Sequence, residues 1–249
     1  MNGNTVVITG ATSGIGYAFA EEFLKLGNKV IICGRRGDRL EEISRKNPDI
    51  ITRVVDVNNP VERESFANWC ISNYPEVNVV VNNAGIQLLT DMRKPVDVDR
   101  LNTEVQTNFI APVHLSSLFV KHFSTKHEAA IINISSGLAF VPIALLSVYC
   151  ATKAAIHSIT LSLRIQLKNT PVKVFEIAPP AVDTELGHDR RSDKSQTHGG
   201  MPVSQFIAEA MEAIKKDAYQ TAIGTSKGSM ESREALLDII NSRFPMPPL

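Results

Sequence analysis

The stretch Thr5-Val6-Val7-Ile8-Thr9-Gly10-Ala11-Thr12-Ser13-Gly14-Ile15-Gly16 decides the fold, because a short β-branched run passes through three glycines straight into a helical pattern. Beyond it Ile15, Ala18, Phe19, Phe23 and Leu26 trace one helix face, and Gly27-Asn28 supplies the stop. Glycines between a strand and a helix let the backbone turn tightly and approach a pyrophosphate, while the helix N-terminus offers unpaired N–H groups and a partial positive charge. Gly10, Ser13, Gly14, Ile15 and Gly16 are therefore candidate dinucleotide contacts. A tight turn without a ligand is the plain alternative for such a loop taken alone.

The alternation continues down the chain. Apolar runs at residues 29–33, 52–55, 77–81, 130–134, 172–177 and 222–223 are separated by amphipathic stretches, and the longest expected helices cover 101–124 and 149–168. Largely apolar strands of this kind suit a parallel sheet covered on both faces. The expected fold is a single α/β domain over residues 1–249, a doubly wound Rossmann-type domain with a parallel sheet of about seven strands and ligands at their carboxyl ends. Residues 187–200 read as a long irregular loop, and 185–201 as a substrate lid.

Composition narrows the function classes. With 43% hydrophobic and 21% charged residues the chain has the make-up of a globular protein able to bury a substantial core. Its 26 basic residues balance 26 acidic ones, which removes the bulk electrostatic case for nucleic acid or an anionic membrane surface and leaves small molecules and further copies of the chain as expected partners. Cys33, Cys70 and Cys150 are an odd number without paired spacing, no leader precedes the first strand, and no apolar run reads as long enough to span a bilayer, so the expected location is the cytoplasm. His114, His122, His127, His157, His188 and His198 show no clustered ligand spacing, and no metal site is expected. Cys150 adjoins Tyr149 but points to another helix face, so it is not read as a nucleophile.

Tyr149 and Lys153 carry the chemistry. Four positions apart on a helix, they share a face, so an ammonium can sit beside a phenol and stabilise its ionised form. A phenol alone titrates near pH ~10, and an acid–base catalyst works best when its pKa approaches the working pH. Ser136, at the end of the fifth expected strand, is the candidate to orient a substrate oxygen, with Ser135 beside it as a rival. At the end of the second strand, where NAD sites usually place an acid for the adenosine ribose, stands Gly34, followed by Arg35 and Arg36. Guanidinium groups pair with phosphate in a fork geometry, which favours NADP(H) over NAD(H), Arg35 being the stronger candidate; two solvated arginines on a turn are the alternative.

The Gly-x-x-x-Gly-x-Gly spacing, Asn82-Asn83-Ala84-Gly85 after the fourth strand, Asn108 in the following helix, and Ser136, Tyr149 and Lys153 in order resemble the short-chain dehydrogenase/reductase family over nearly the whole chain. Together with Pro179-Pro180-Ala181-Val182-Asp183-Thr184, the N-terminal pattern resembles the DltE-like oxidoreductase branch of that family. The resemblance implies hydride transfer between a nicotinamide and a carbonyl or alcohol, with Tyr149 as acid/base, Lys153 also gripping the nicotinamide ribose, and Asn108 kinking its helix and linking Lys153 through water to solvent; a helix-packing role is the alternative for Asn108. It further implies cofactor contacts at Asn82, Ala84, Gly85, Pro179, Val182 and Thr184, an adenine-contacting pair at Asp56-Val57 (or a turn-capping aspartate), and a substrate border including Gln87, Leu138, Phe140, Val141 and Leu186. Pro180 stands where the family has glycine, which predicts an altered backbone path. A homodimer or homotetramer is expected, with Phe109, Leu115, Leu118, Phe119, Ile156, Ile159, Leu163 and Leu167 as the surplus apolar surface of the two long helices. Two other functions share these features. A catalytically silent NADP(H)-binding redox regulator would be expected to lose Tyr149 or Lys153, and a nucleotide-sugar epimerase needs more sequence after Thr184.

Overall fold

In the computed structural model, which describes residues 2–187 and 199–243, seven strands form one parallel sheet: β1 (Thr5–Thr9), β2 (Lys29–Gly34), β3 (Ile50–Val54), β4 (Val77–Asn82), β5 (Ala129–Ile134), β6 (Val172–Ala178) and β7 (Gln220–Ala222). Their order is β3-β2-β1-β4-β5-β6-β7. The chain winds outward from β1 in one direction and then returns to start again at β4 on its other side. A crevice opens at such a switch point, beyond the carboxyl ends of the strands. The third strand starts two residues earlier than the expected 52–55, because Ile50 pairs with Val30 and is buried.

Alternating side chains feed two cores. Val6, Ile8 and Ile32 pack under α1 (Gly14–Lys25) and α7 (Val203–Lys215), where Phe19 meets Phe206 edge-on at 6.3 Å. Val7, Ile31 and Val80 point to the opposite face, against Phe66 of α3 (Pro60–Asn73) and Leu115, Phe119 and Phe123 of α5 (Ala111–Phe123). The short α2 (Gly37–Lys46) adds Leu40 and Ile43 to the first core. Asn59 starts α3 by accepting from the Val61 and Glu62 amides, with Pro60 in the first turn where no N–H is needed.

The helix expected over 101–124 is divided. α4 (Val98–Val105) runs into one π-helical turn (Gln106–Ile110) and then into α5, so the ladder is re-registered at Asn108 itself. π turns of this kind concentrate at functional sites. The second long helix, α6 (Ser147–Gln166), lies close to its expected bounds. By composition and length Ala144–Gln166 is apolar enough to cross a bilayer, which corrects the expectation that no run reaches that length. Its inner face, with Tyr149, Lys153, Ile156 and Thr160, is buried in the domain. Of the apolar side chains expected to be surplus, Leu115, Phe119, Ile156 and Leu167 already belong to the core; the large apolar side chains exposed on α6 are Leu161 and Ile165, which lie outside the expected set.

A polar row crosses the sheet beneath α5 and α6. Asn82, Asn133, Glu176 and Gln220 are register partners. Asn82 donates to Asn133 at 2.8 Å and to Ser116 of α5 at 3.0 Å, Asn133 donates to Thr160 of α6 at 2.9 Å, and Glu176 pairs with His157 of α6 at 2.8 Å. Directional bonds of this kind fix where α6, and so Tyr149 and Lys153, sit along the strands.

Candidate active site

A cleft of about 890 Å³ opens at the carboxyl ends of β1, β2, β4 and β5. One end is the glycine loop. Gly10 and Gly14 adopt φ of 65° and 56°, where an L side chain is strained, and a Cβ on Gly10 would lie 2.6 Å from the Ala84 Cα. Ser13 stands at the N-cap of α1, but no side chain caps that terminus. The orphan amides of the first helical turn are therefore left for an anion. Gly16 is not on the cleft wall; it is bare because a Cβ would lie 2.4 Å from Asn83 Nδ2 and 2.8 Å from the Gly10 carbonyl. The missing side chain lets helix and loop pack closely there.

At the rim beyond β2, Arg35 is exposed on the cleft wall, whereas Arg36 is engaged. Its Nε donates to Thr12 Oγ1 at 2.9 Å, its Nη2 to Ser13 Oγ at 2.7 Å, and its Nη1 meets Glu185 Oε2 at 2.6 Å. Arg39 holds the other Glu185 oxygen at 2.7 Å, and Ser13 Oγ donates to Glu185 Oε2 at 2.9 Å. Burial works to raise the Glu185 pKa, but the bonds from Arg36, Ser13 and Arg39 outweigh it and hold the carboxyl down to about 2. Gly34 is glycine for a packing reason as well: a Cβ would lie 2.7 Å from the Thr12 methyl. Asp56 and Val57 line the cleft next to this rim, and Asp56 Oδ1 accepts from the Asn58 amide as a turn-capping aspartate does.

The other end carries Tyr149 and Lys153. Both are buried and both line the cleft, with Lys153 Nζ 5.7 Å from the Tyr149 ring centroid and donating to the Ile134 carbonyl at 2.9 Å. Burial pulls the Lys153 pKa from 10.5 down to about 8. Asn108 lies behind the wall: its Oδ1 accepts from the Ile86 amide at 2.9 Å, and its Nδ2 donates to the Ile86 carbonyl at 2.8 Å and to Thr152 at 3.2 Å. One side chain thereby ties the loop after β4 to α6. This is a positioning role, and the π turn is what turns Asn108 toward both.

Among the remaining sequence-predicted residues, Ala84, Gly85, Pro179, Thr184, Gln87 and Leu186 line the cleft. Asn82 does not, because its amide is spent in the polar row; its neighbour Asn83 lines the cleft instead and donates to the Thr9 and Gly10 carbonyls. The Val182 side chain packs in the core, and its backbone bridges Met201. Pro180 turns toward Gly224 and leaves Pro179 and Thr184 on the wall. Phe140 and Val141 fill a small core with Ala178 and Ala222, and Leu138 packs beside Tyr149 and Cys150 away from the cleft wall. Ser135 lines the cleft, whereas Ser136 Oγ accepts from the Leu138 amide.

Sequence reading missed Thr12, Thr103, Thr107, Arg100 and Glu185 on the wall. Thr12 lay inside the quoted loop, but nothing local marks the others. The expected lid falls largely on residues 188–198, outside the described residues. Cys33 and Cys150 are buried thiols pushed up to about 12 and about 11 by desolvation, Cys70 is raised likewise, and no group of potential metal ligands occurs among the described residues.

Open amides at a helix terminus, hydroxyl and guanidinium donors at one rim, and a phenol with a buried amine at the other form a donor set that fits a dinucleotide with anionic phosphates. Known proteins agree with that chemistry. A family model described as short chain dehydrogenase matches residues 4–195. The chain is 43% identical over 241 residues to an uncharacterized oxidoreductase, DltE, of Bacillus subtilis (96% of this chain, 95% of the relative), and 31% identical over 219 residues to the NADP-dependent 3-hydroxy acid dehydrogenase YdfG of Escherichia coli (83% and 86%). A short-chain dehydrogenase/reductase from Burkholderia phymatum, solved in complex with NAD, superposes with a TM-score of 0.83 at 22% identity, covering 100% of this chain and 98% of its own, which shows the shared fold.

Proposed function

The chain belongs to the short chain dehydrogenase family of oxidoreductases, and from that premise we propose that it is an NADP(H)-dependent enzyme acting on a carbonyl/alcohol pair, with Tyr149 as acid/base. The observation that carries this reading is the meeting, in one cleft, of Tyr149 and Lys153 with the open N-terminus of α1 and the arginines after β2.

When bound, the nicotinamide supplies or accepts the hydride. Gly10, Ser13, Gly14 and Ile15 would hold the phosphates, Arg35 and Arg36 an adenosine 2′-phosphate, Asp56 and Val57 the adenine, and Ala84, Gly85, Lys153, Pro179 and Thr184 the nicotinamide end. Tyr149 gives its proton to the carbonyl oxygen in reduction and takes one from the alcohol in oxidation. Lys153, on the same helix face, stabilises the phenolate that results. Ser136 is the candidate to orient the substrate oxygen, with Ser135 on the cleft wall as its rival. The relative YdfG acts on 3-hydroxy acids by its name, so 3-hydroxy and 3-oxo acids are the first substrates to try, alongside simple ketones and aldehydes.

The test is a coupled screen: NADPH consumption with the carbonyl compounds and NADP+ reduction with the alcohols, run in parallel with NADH and NAD+. Turnover with NADPH above NADH, lost in Tyr149→Phe, is expected. Nicotinamide binding without turnover on any class would favour the silent-regulator alternative. Pairing of α6 across a two-fold axis, through Leu161 and Ile165, is our proposal for assembly, and a strictly monomeric sedimentation profile would refute it.

A further inference from the structure

The acid that the sequence lacks at the end of β2 arrives from elsewhere in the chain. Glu185 lies 149 residues from Arg36, yet its carboxylate meets Arg36 at 2.6 Å, Arg39 at 2.7 Å and Ser13 Oγ at 2.9 Å. Arg36 is also bonded to Thr12 and Ser13 of the glycine loop, so the carboxylate sits where that loop and the second strand converge. Two guanidinium groups and a hydroxyl around one anion are the coordination that a phosphate monoester takes in proteins.

We propose that Glu185 is a resident counter-anion of the Arg36–Arg39 pair, one that an adenosine 2′-phosphate must displace, and that it thereby sets how strongly the protein selects between phosphorylated and unphosphorylated dinucleotides. The inference rests on the NADP(H) reading above. A bound 2′-phosphate and the Glu185 carboxylate compete for the same donors, and left side by side they repel. An unphosphorylated ribose instead brings hydroxyls, which can share the cluster with the carboxylate as donors. Arg35, exposed on the same rim, offers the incoming phosphate a first contact before the carboxylate leaves.

The experiment titrates the cofactor-free protein and Glu185→Gln with NADPH, NADH, adenosine 2′,5′-bisphosphate and AMP, by calorimetry or fluorescence. The side-chain amide keeps the size but not the charge. Loss of partly exposed ion pairs predicts that Glu185→Gln binds the two 2′-phosphorylated ligands about five- to thirtyfold more tightly, while NADH and AMP change by less than about twofold. The gain should vanish in Arg36→Ala/Glu185→Gln, and unchanged melting of Glu185→Gln within a few degrees shows that the fold is intact. Unchanged or weaker binding of the 2′-phosphorylated ligands, or an equal gain for AMP, overturns the proposal. The two readings fail separately. If the unmodified protein binds NADH as tightly as NADPH but Glu185→Gln prefers NADPH, the NADP(H) assignment falls and the counter-anion stands. If the unmodified protein prefers NADPH and Glu185→Gln does not widen the preference, only the counter-anion falls.

Discussion

Replacing Lys153 by Met should stabilise the cofactor-free protein at neutral pH while ending its chemistry. The ammonium is buried, and burial alone pulls its pKa from 10.5 down to about 8. The folded state thus holds this proton less tightly than the unfolded chain does. Below about pH 8 the cost of burying the charge is present in full, and it is relieved as pH climbs from about 8 toward 10.5, where the unfolded chain binds more protons and stability rises with pH. At about 1.36 kcal/mol per pH unit the full cost is about 3 kcal/mol. Met fills nearly the same volume without charge, but it gives up the bond to the Ile134 carbonyl, a loss of about 1 to 2 kcal/mol. The net expectation at pH 7 is a gain of about 1 to 2 kcal/mol. The pH dependence is the sharper signature: between pH 7 and 9.5 the unmodified protein should gain about 2 kcal/mol relative to Lys153→Met. Urea unfolding of both proteins at half-unit pH intervals measures it. Parallel stability curves over that range would refute the reasoning, because they would mean that Lys153 is solvated enough in the folded state to hold its proton as tightly as the unfolded chain does.

Tyr149→Phe removes the proton donor but keeps the ring, so turnover should fall by at least about a hundredfold with NADPH affinity nearly unchanged, as steady-state rates and titration would show. Between Ser135, on the wall, and Ser136, whose hydroxyl caps the next turn, single alanine variants decide: the oriented oxygen lowers kcat, and the other residue changes melting alone. Asn108→Ala strips the Ile86 amide and carbonyl of their partner and should cost about 2 to 3 kcal/mol in urea unfolding. Gly34→Asp should fail to convert the protein to NAD, since its Cβ would meet the Thr12 methyl at 2.7 Å; weakened binding of both cofactors, partly restored by adding Thr12→Ala, is the expected titration result.

What the sequence made legible is what adjacent residues settle among themselves. Strand periodicity, the glycine loop and the Tyr149-Lys153 interval are local, and each survives folding because helix and strand geometry map short intervals onto fixed directions. Asn82 and Asn83 mark where that reach stops. Asn82 ends β4 and Asn83 follows it, and which one meets the cleft depends on Asn133 and Ser116 being ready to take the Asn82 amide, partners that come from other elements. The π turn at Asn108 is partly local, since Pro112 has no N–H to close the helical bond to the Asn108 carbonyl, but the side-chain bonds that hold Asn108 go to Ile86 and Thr152.

Gly34 shows how a correct local reading leads to an incomplete conclusion. The absence of an acid at the end of β2 is real, and beside Arg35 and Arg36 it argues for a phosphate. Charge, however, acts through space, and the parallel crossovers return the chain from β6 to the same rim, placing Glu185 against Arg36. A carboxylate there lies within hydrogen-bonding distance of the guanidinium whichever segment supplies it, and its effect on a neighbouring phosphate depends on separation and dielectric, not on sequence distance. Cofactor preference in such a site therefore follows from the net charge gathered at the rim once the sheet is assembled. For this chain that means Arg35, Arg36 and Arg39 set against Glu185, a balance that a single neutralising substitution should tip toward the 2′-phosphate.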